Sequence, residues 1–232
     1  MPLQKAASAS TNGLSLLTQA TVRIQDSETK KIIYIDPFKV TRSETADLIL
    51  ITHPHFDHCD PNSVKQLYKP NHTMVIGPQD CLQKLPIMKA DGRPIRPNEE
   101  TEVGGITVQT IPAYNIFQER LHYHPKTNNW VGYVLLANKE TIYHAGDTDE
   151  IEEMSKLRNL VNLGFLPVGG TYTMDADEAA KAVERFDPDI AVPMHAIPAG
   201  TRALEMQQKF KRLVEAKGKT KVELINGKGS FD

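Results

Sequence analysis

The stretch Leu50-Ile51-Thr52-His53-Pro54-His55-Phe56-Asp57-His58 decides the reading of this chain, because it sets three imidazoles and a carboxylate within six residues directly behind an apolar run. Residues 46–52 are apolar and β-branched enough for a buried strand, which puts His53 and His55 at the strand's mouth. Side chains two apart on an extended backbone point the same way, so both rings face one side and can share a cation. Asp57 and His58 follow where the chain should turn into a helix, with Asp60 as N-cap and Pro61 at the first helical position. There they can serve a second cation. A closed structural zinc site is disfavoured, since such sites usually draw on Cys and none is among these candidate ligands.

With 232 residues, 40% of them hydrophobic and 24% charged, the chain has the composition of a globular protein with a sizeable core. We expect a short polar N-terminal segment at residues 1–12, without the apolar stretch of a signal peptide, and one domain over residues 13–232. The formal net charge of −2 provides no basic field for nucleic acid or an anionic membrane, which disfavours both as partners. Basic residues between Lys209 and Lys221 fall at helix-like spacing and read as a solvated face. Cys59 and Cys81 are too few for a disulfide framework and read as reduced thiols. No run reaches membrane-spanning length, and the expected location is the cytoplasm.

Strand candidates recur at residues 14–24, 32–35, 46–52, 74–76, 106–111, 130–137, 141–144, 163–168, 190–194 and 222–225. Helices are expected at 61–68, 79–85, 151–157, 175–186 and 201–216. Asp175 with Glu178 reads as an acidic capping box, and the helix it starts must stop before Pro188. Leu204, Phe210, Leu213 and Val214 give the last helix an apolar stripe. By pattern alone this is an α/β or α+β protein with many strands.

The signature His53-x-His55-x-Asp57-His58, followed in order by Gly146-Asp147-Thr148 and His195 and preceded by Asp36-Pro37, resembles the metallo-β-lactamase-fold hydrolases over nearly the whole chain. The phrases Ile111-Pro112-Ala113-Tyr114, Trp130-Val131-Gly132-Tyr133 and Ile142-Tyr143-His144-Ala145-Gly146-Asp147-Thr148 are similar to the small ascorbate-6-phosphate lactonase-like branch. The resemblance implies a four-layer αββα sandwich of two mixed β-sheets, with two divalent metal ions at one edge. It also implies that Asp147 bridges the cations and that His195 is the last ligand of the second. Zinc is the first choice for the imidazole-rich set, and manganese or iron would suit the carboxylates.

One position departs from that family. Its third ligand to the first metal is a histidine closing a phrase that here reads Ile111-Pro112-Ala113-Tyr114-Asn115. Asparagine offers a neutral carbonyl oxygen, a poor zinc ligand. The place therefore falls to His124 from the following loop, to Asn115, or to a water. Within residues 116–129, Arg120 and Lys126 are candidates to meet an anionic substrate. His144 either orients a ligand or packs, and Gly169-Gly170 before the capped helix either presents N–H groups to an anion or makes a tight turn.

The expected chemistry is hydrolysis of a small ester, lactone or phosphoester by a water that two cations deprotonate near neutral pH, with Asp57 steering its proton. A nuclease or phosphodiesterase is the alternative within the same metal motif, weakened by the net charge. A non-catalytic metal-binding protein is the alternative if Asn115 breaks the first site. A di-iron oxidoreductase is disfavoured, because that branch places a carboxylate at the second histidine. Oligomeric state is not legible.

Overall fold

The computed structural model describes residues 3, 5–7, 9–41, 44–197 and 200–225. Residues 1, 2, 4 and 8 of the polar N-terminal segment, and 42, 43, 198, 199 and 226–232 of the expected domain, lie outside the described residues. The first sheet opens with β1 (Leu14–Leu16), β2 (Val22–Gln25) and β3 (Ile32–Ile35), all antiparallel. It continues in parallel through β4 (Leu48–Leu50), β5 (Met74–Gly77) and β6 (Gly92–Pro94). Helices α1 (Pro61–Leu67) and α2 (Gln79–Leu82) belong to this half.

The second sheet repeats the pattern. β7 (Glu100–Val103), β8 (Ile106–Pro112), β9 (Val131–Ala137) and β10 (Glu140–His144) form an antiparallel meander. Then β11 (Leu163–Pro167), β12 (Ile190–Met194) and β13 (Lys221–Val222) add in parallel, with α3 (Ala176–Phe186) and α4 (Thr201–Glu215) between them.

Alternation along the strands builds the layers, because successive side chains leave opposite faces. Ile33, Ile35, Leu48 and Leu50 meet Tyr133, Leu135, Phe165 and Val192 between the sheets. Their neighbours Ile32, Tyr34 and Ile49 point outward onto Val64 and Leu67 of α1. Val134, Tyr143 and Ala191 likewise face Ala179 and Phe186 of α3 and Phe210 of α4. Three apolar interfaces thus separate helix, sheet, sheet and helix, which is the αββα sandwich.

Several elements differ from the sequence-based expectation. The run expected as one strand at 14–24 is a hairpin, because Leu17 N–H donates to Thr21 O and turns the chain. β6 and β7 were not expected: one is three residues with Gly and Pro, the other a largely exposed Glu-Thr-Glu-Val edge. The helix expected at 151–157 is a 3-10 helix over Glu152–Leu157. α3 has its reciprocal Asp175–Glu178 capping box and ends at Asp187 in the left-handed region. On α4 the buried positions are Ala203, Phe210 and Val214, while Leu204 faces solvent. No helix among the described residues is long and apolar enough to cross a membrane.

The chain leaves β4 toward His53, β10 toward Asp147 and β12 toward His195 at one edge of the sandwich. There Val131 N–H donates to Thr52 O (3.2 Å) and Tyr133 Oη to Ile51 O (2.7 Å), joining the sheets next to the site.

Candidate metal centre

His53, His58, Asp147 and His195 are buried, and Asp36 and Thr52 behind them are fully so. Asp36 Oδ1 accepts from Thr52 N (2.8 Å) and Oδ2 from Thr52 Oγ1 (2.6 Å). Since that hydroxyl proton is committed, Thr52 Oγ1 can only accept from His53 Nδ1, 2.9 Å away. The Asp36 Oδ2 atom also takes His58 Nδ1–H at 2.8 Å. One carboxylate therefore fixes the Nδ1 protons of two imidazoles and turns each Nε2 toward the site, the outer support that metal-binding histidines usually have.

Asp147 lies at the centre. Its oxygens are 3.3 Å from His58 Nε2, 3.4 Å from His124 Nε2, 3.4 Å from His195 Nε2 and 3.8 Å from His53 Nε2. These separations are long for hydrogen bonds and close to the roughly 3.3 Å between two ligands that each sit ~2.0–2.1 Å from a tetrahedral cation. Nε2 of His58, His124 and His195 and Oδ1 of Asp147 are buried without a hydrogen-bond partner. Buried polar atoms are rarely left so, and four converging donor atoms fit divalent cations. Ligand atoms within 4.8 Å of one another form three groups: His53, His55 and His124; His53, His58 and Asp147; Asp57, His58 and His195.

Electrostatics support the same arrangement. Burial, then the neighbouring His58, hold His53 well below the usual imidazole value, and burial with His124 lowers His55 to about 4. Both rings are thus kept neutral, as ligands must be. Burial opposes charge on His58, but Asp147 and Asp36 outweigh it and raise its pKa well above normal. Asp57 sits at about 2: burial works against its charge and is overcome by His195, whose Nε2 lies 3.4 Å from Oδ2, and by the His58 charge. Asp147 is likewise held well below the carboxylate range by His195 and His58 against the cost of burial.

Two backbone features place ligands. Gly146 has φ +65°, and a Cβ there would meet Thr52 Cβ and Val131 O at 3.1 Å, so glycine brings Asp147 close under the motif strand. His195 itself has φ +52°, uncommon for a non-glycine residue, and its N–H donates to Gln19 O (2.5 Å).

The structure assigns different surroundings to the other candidates. His124 stands with His53 and His55. Asn115 turns its Nδ2 toward His124 Nδ1 (3.2 Å) and donates to the carbonyls of Arg120 (2.8 Å) and Tyr172 (2.9 Å), so it directs no oxygen at His124. Arg120, expected near an anionic substrate, is buried instead in ion pairs with Asp149 (2.6 Å) and Glu178 (2.7 Å). Lys126 is engaged by Glu153 (3.0 Å) and Tyr114 Oη (2.9 Å). His144 is neutral, its pKa lowered by burial; its Nε2–H donates to Ala20 O (2.9 Å) and its Nδ1 accepts from Gly146 N (3.2 Å). It braces the turn before Asp147 and touches no ligand side chain through these bonds. Gly169-Gly170 form a turn closed by Gly170 N–H to Met174 O, and the acidic capping box already occupies the start of α3.

Three residues at the site were not singled out from sequence. Gln19 Nε2 donates to Asp57 Oδ2 (2.5 Å) from the β1–β2 turn, and no local pattern announces it. Asp36, quoted only within a motif, supports two rings, and its place after a buried strand was the available signal. Trp130 walls the site, its ring 5.2 Å from those of His53 and His55, with Nε1 donating to Asp80 (2.9 Å).

The chain is similar to known proteins over most of its length. The family described as "Beta-lactamase superfamily domain" matches residues 13–195. A metal-dependent hydrolase of Thermoplasma acidophilum is 35% identical over 179 residues, spanning 72% of this chain and 76% of that protein. One of Thermococcus kodakarensis is 32% identical over 199 residues, spanning 81% of this chain and 86% of that protein. A crystal structure from Parabacteroides distasonis, assigned as a metal-dependent hydrolase, superposes with TM-score 0.79 at 28% identity and covers 91% of each chain.

Proposed function

The chain belongs to the beta-lactamase superfamily and is one of its metal-dependent hydrolases, and from that premise we propose a binuclear enzyme, with zinc the first-choice metal, that cleaves a small ester or lactone. The observation that carries this reading is the convergence of His53, His58, His124 and His195 Nε2 on the Asp147 carboxylate at 3.3–3.8 Å. His53, His55 and His124 would hold one cation, Asp57, His58 and His195 the other, and Asp147 would bridge them. When bound, such cations make a water acidic near neutral pH and polarise the substrate's carbonyl or phosphoryl oxygen.

The chain's own residues prepare that chemistry. Asp36 and Thr52 hold two imidazoles in the tautomer that presents Nε2. Gln19 holds Asp57 by its Oδ2, and the depressed pKa keeps that carboxylate ionised, as a metal ligand must be, and able to orient the attacking water's proton. Trp130 closes one side of the cluster against bulk water. Arg120 and Lys126 are both engaged by carboxylates, which favours a neutral ester or lactone over a phosphoester. The two buried free thiols suit a reducing cytoplasm.

The test is turnover of a panel of small lactones, carboxylic esters and phosphodiesters by chelator-stripped enzyme, before and after zinc or manganese is restored. Metal-dependent hydrolysis of a lactone or ester supports the proposal. Equal rates with and without metal, or cleavage of phosphodiesters alone, would contradict it.

A further inference from the structure

Of residues 116–123, only Arg120 is buried; Ile116, Phe117, Gln118, Glu119 and His122 are exposed. The loop that delivers His124 therefore has no fully buried apolar anchor; half-buried Tyr123 packs edge-on against Tyr172, with ring centroids 4.7 Å apart. It is closed at its base by Asn115 N–H donating to His124 O at 2.8 Å. Its apex is pinned by the Arg120 guanidinium, with Nε 2.6 Å from Asp149 Oδ1 and a terminal nitrogen donating to Glu178 Oε2 at 2.7 Å. Asp149 Oδ2 in turn accepts from the N–H groups of Ile116 (2.7 Å) and Phe117 (3.2 Å), and Asn115 Nδ2 donates to Arg120 O (2.8 Å). Glu178 is fixed by the capping box of α3.

We propose that Arg120 is a positioning residue: its fork across Asp149 and Glu178 latches the loop so that His124 reaches the group formed with His53 and His55. The proposal rests on the reading of His124 as a cation ligand. It accounts for how a ligand can be supplied nine residues past Asn115, from a segment in which Arg120 is the one buried side chain before His124. Arginine suits the task because one planar guanidinium can span two carboxylates at once, for which the compact ammonium of lysine is less suited. Outer partners of metal ligands typically control metal affinity by ~10–100-fold.

The experiment is a cobalt(II) titration of the chelator-stripped full chain, reading equivalents bound and the visible absorption of each site, for wild type, R120K, R120M/D149N and H124A. R120K keeps a positive charge beside the buried carboxylates, and R120M/D149N removes the buried charges together, so neither leaves Asp149 ionised and unpaired. The expected result is that one of two cobalt equivalents weakens by about 10–100-fold in both Arg120 variants, as in H124A, while the other equivalent is retained. Wild-type binding of both equivalents by the Arg120 variants, with one lost in H124A, would overturn the latch and leave the ligand reading intact. Wild-type binding by H124A would overturn the ligand reading itself, and with it the latch.

Discussion

Replacing Asp36 by asparagine tests how much of the centre depends on one buried carboxylate. In D36N the retained oxygen can still accept from Thr52 N, but an NH2 group would replace the Oδ2 that now receives Thr52 Oγ1–H at 2.6 Å and His58 Nδ1–H at 2.8 Å. The threonine hydroxyl can rotate. His58 can avoid two opposed donors only by giving up its Nδ1 proton and keeping one on Nε2, the atom that faces Asp147. A hydrogen bond to a charged group contributes about 1.5–3 kcal/mol. Loss of an outer partner lowers metal affinity by ~10–100-fold, or roughly 1.4–2.7 kcal/mol. The two magnitudes overlap, so the second cation should bind ~10–100-fold more weakly in D36N. Chelator-competition titration with zinc measures this directly.

The same substitution has a pH signature. Because the folded pKa of His58 is raised, its contribution to the metal-free fold is fully present below its unfolded value of about 6.5 and is lost as pH rises through the folded value. D36N should therefore cost the metal-free protein more at pH 6 than at high pH. At pH 7, zinc binding to the wild type should expel a proton from His58, and calorimetry in buffers of different ionisation enthalpy should record less release in D36N. Zinc affinity within twofold of wild type, together with unchanged proton release, would refute the Asp36 argument.

Other consequences can be checked in parallel. A Cβ at Gly169 would lie 2.7 Å from His195 O, so G169A should displace His195 and lower metal content and turnover together, read by elemental analysis and kinetics. Phe186 is fully buried between α3 and the second sheet, and F186A should cost about 3–5 kcal/mol in denaturant unfolding while leaving metal stoichiometry unchanged. Asp57 has a folded pKa of about 2, below its unfolded value, so its share of metal-free stability is present above pH ~3.8 and lost as pH falls toward 2. Acid titration of D57N should lack that component.

The site was legible where its ligands are neighbours in sequence. His53, His55, Asp57 and His58 fall within one turn after β4, and Asp147 and His195 each follow a buried strand, so strand period and motif order point to one edge. The layers were legible for the same reason, since alternating apolar runs such as Ile32–Ile35 feed two faces at once. What escaped depends on distant pairing. The fate of Arg120 is set by Asp149 and Glu178, which come together only when α3 docks, and the orientation of Asn115 is set by the carbonyls of Arg120 and Tyr172. Gln19 reaches Asp57 from 38 positions away with no periodic signal. β6 and β7 were missed because backbone pairing at a sheet edge requires little apolar side-chain pattern.

The most direct test of the central claim is elemental analysis of metal per chain, on protein purified without chelator or metal-affinity resin and then reconstituted with zinc. About two equivalents are expected, one for each of the two proposed ligand groups that Asp147 would bridge. One equivalent or fewer, persisting after zinc is added back, would contradict that claim.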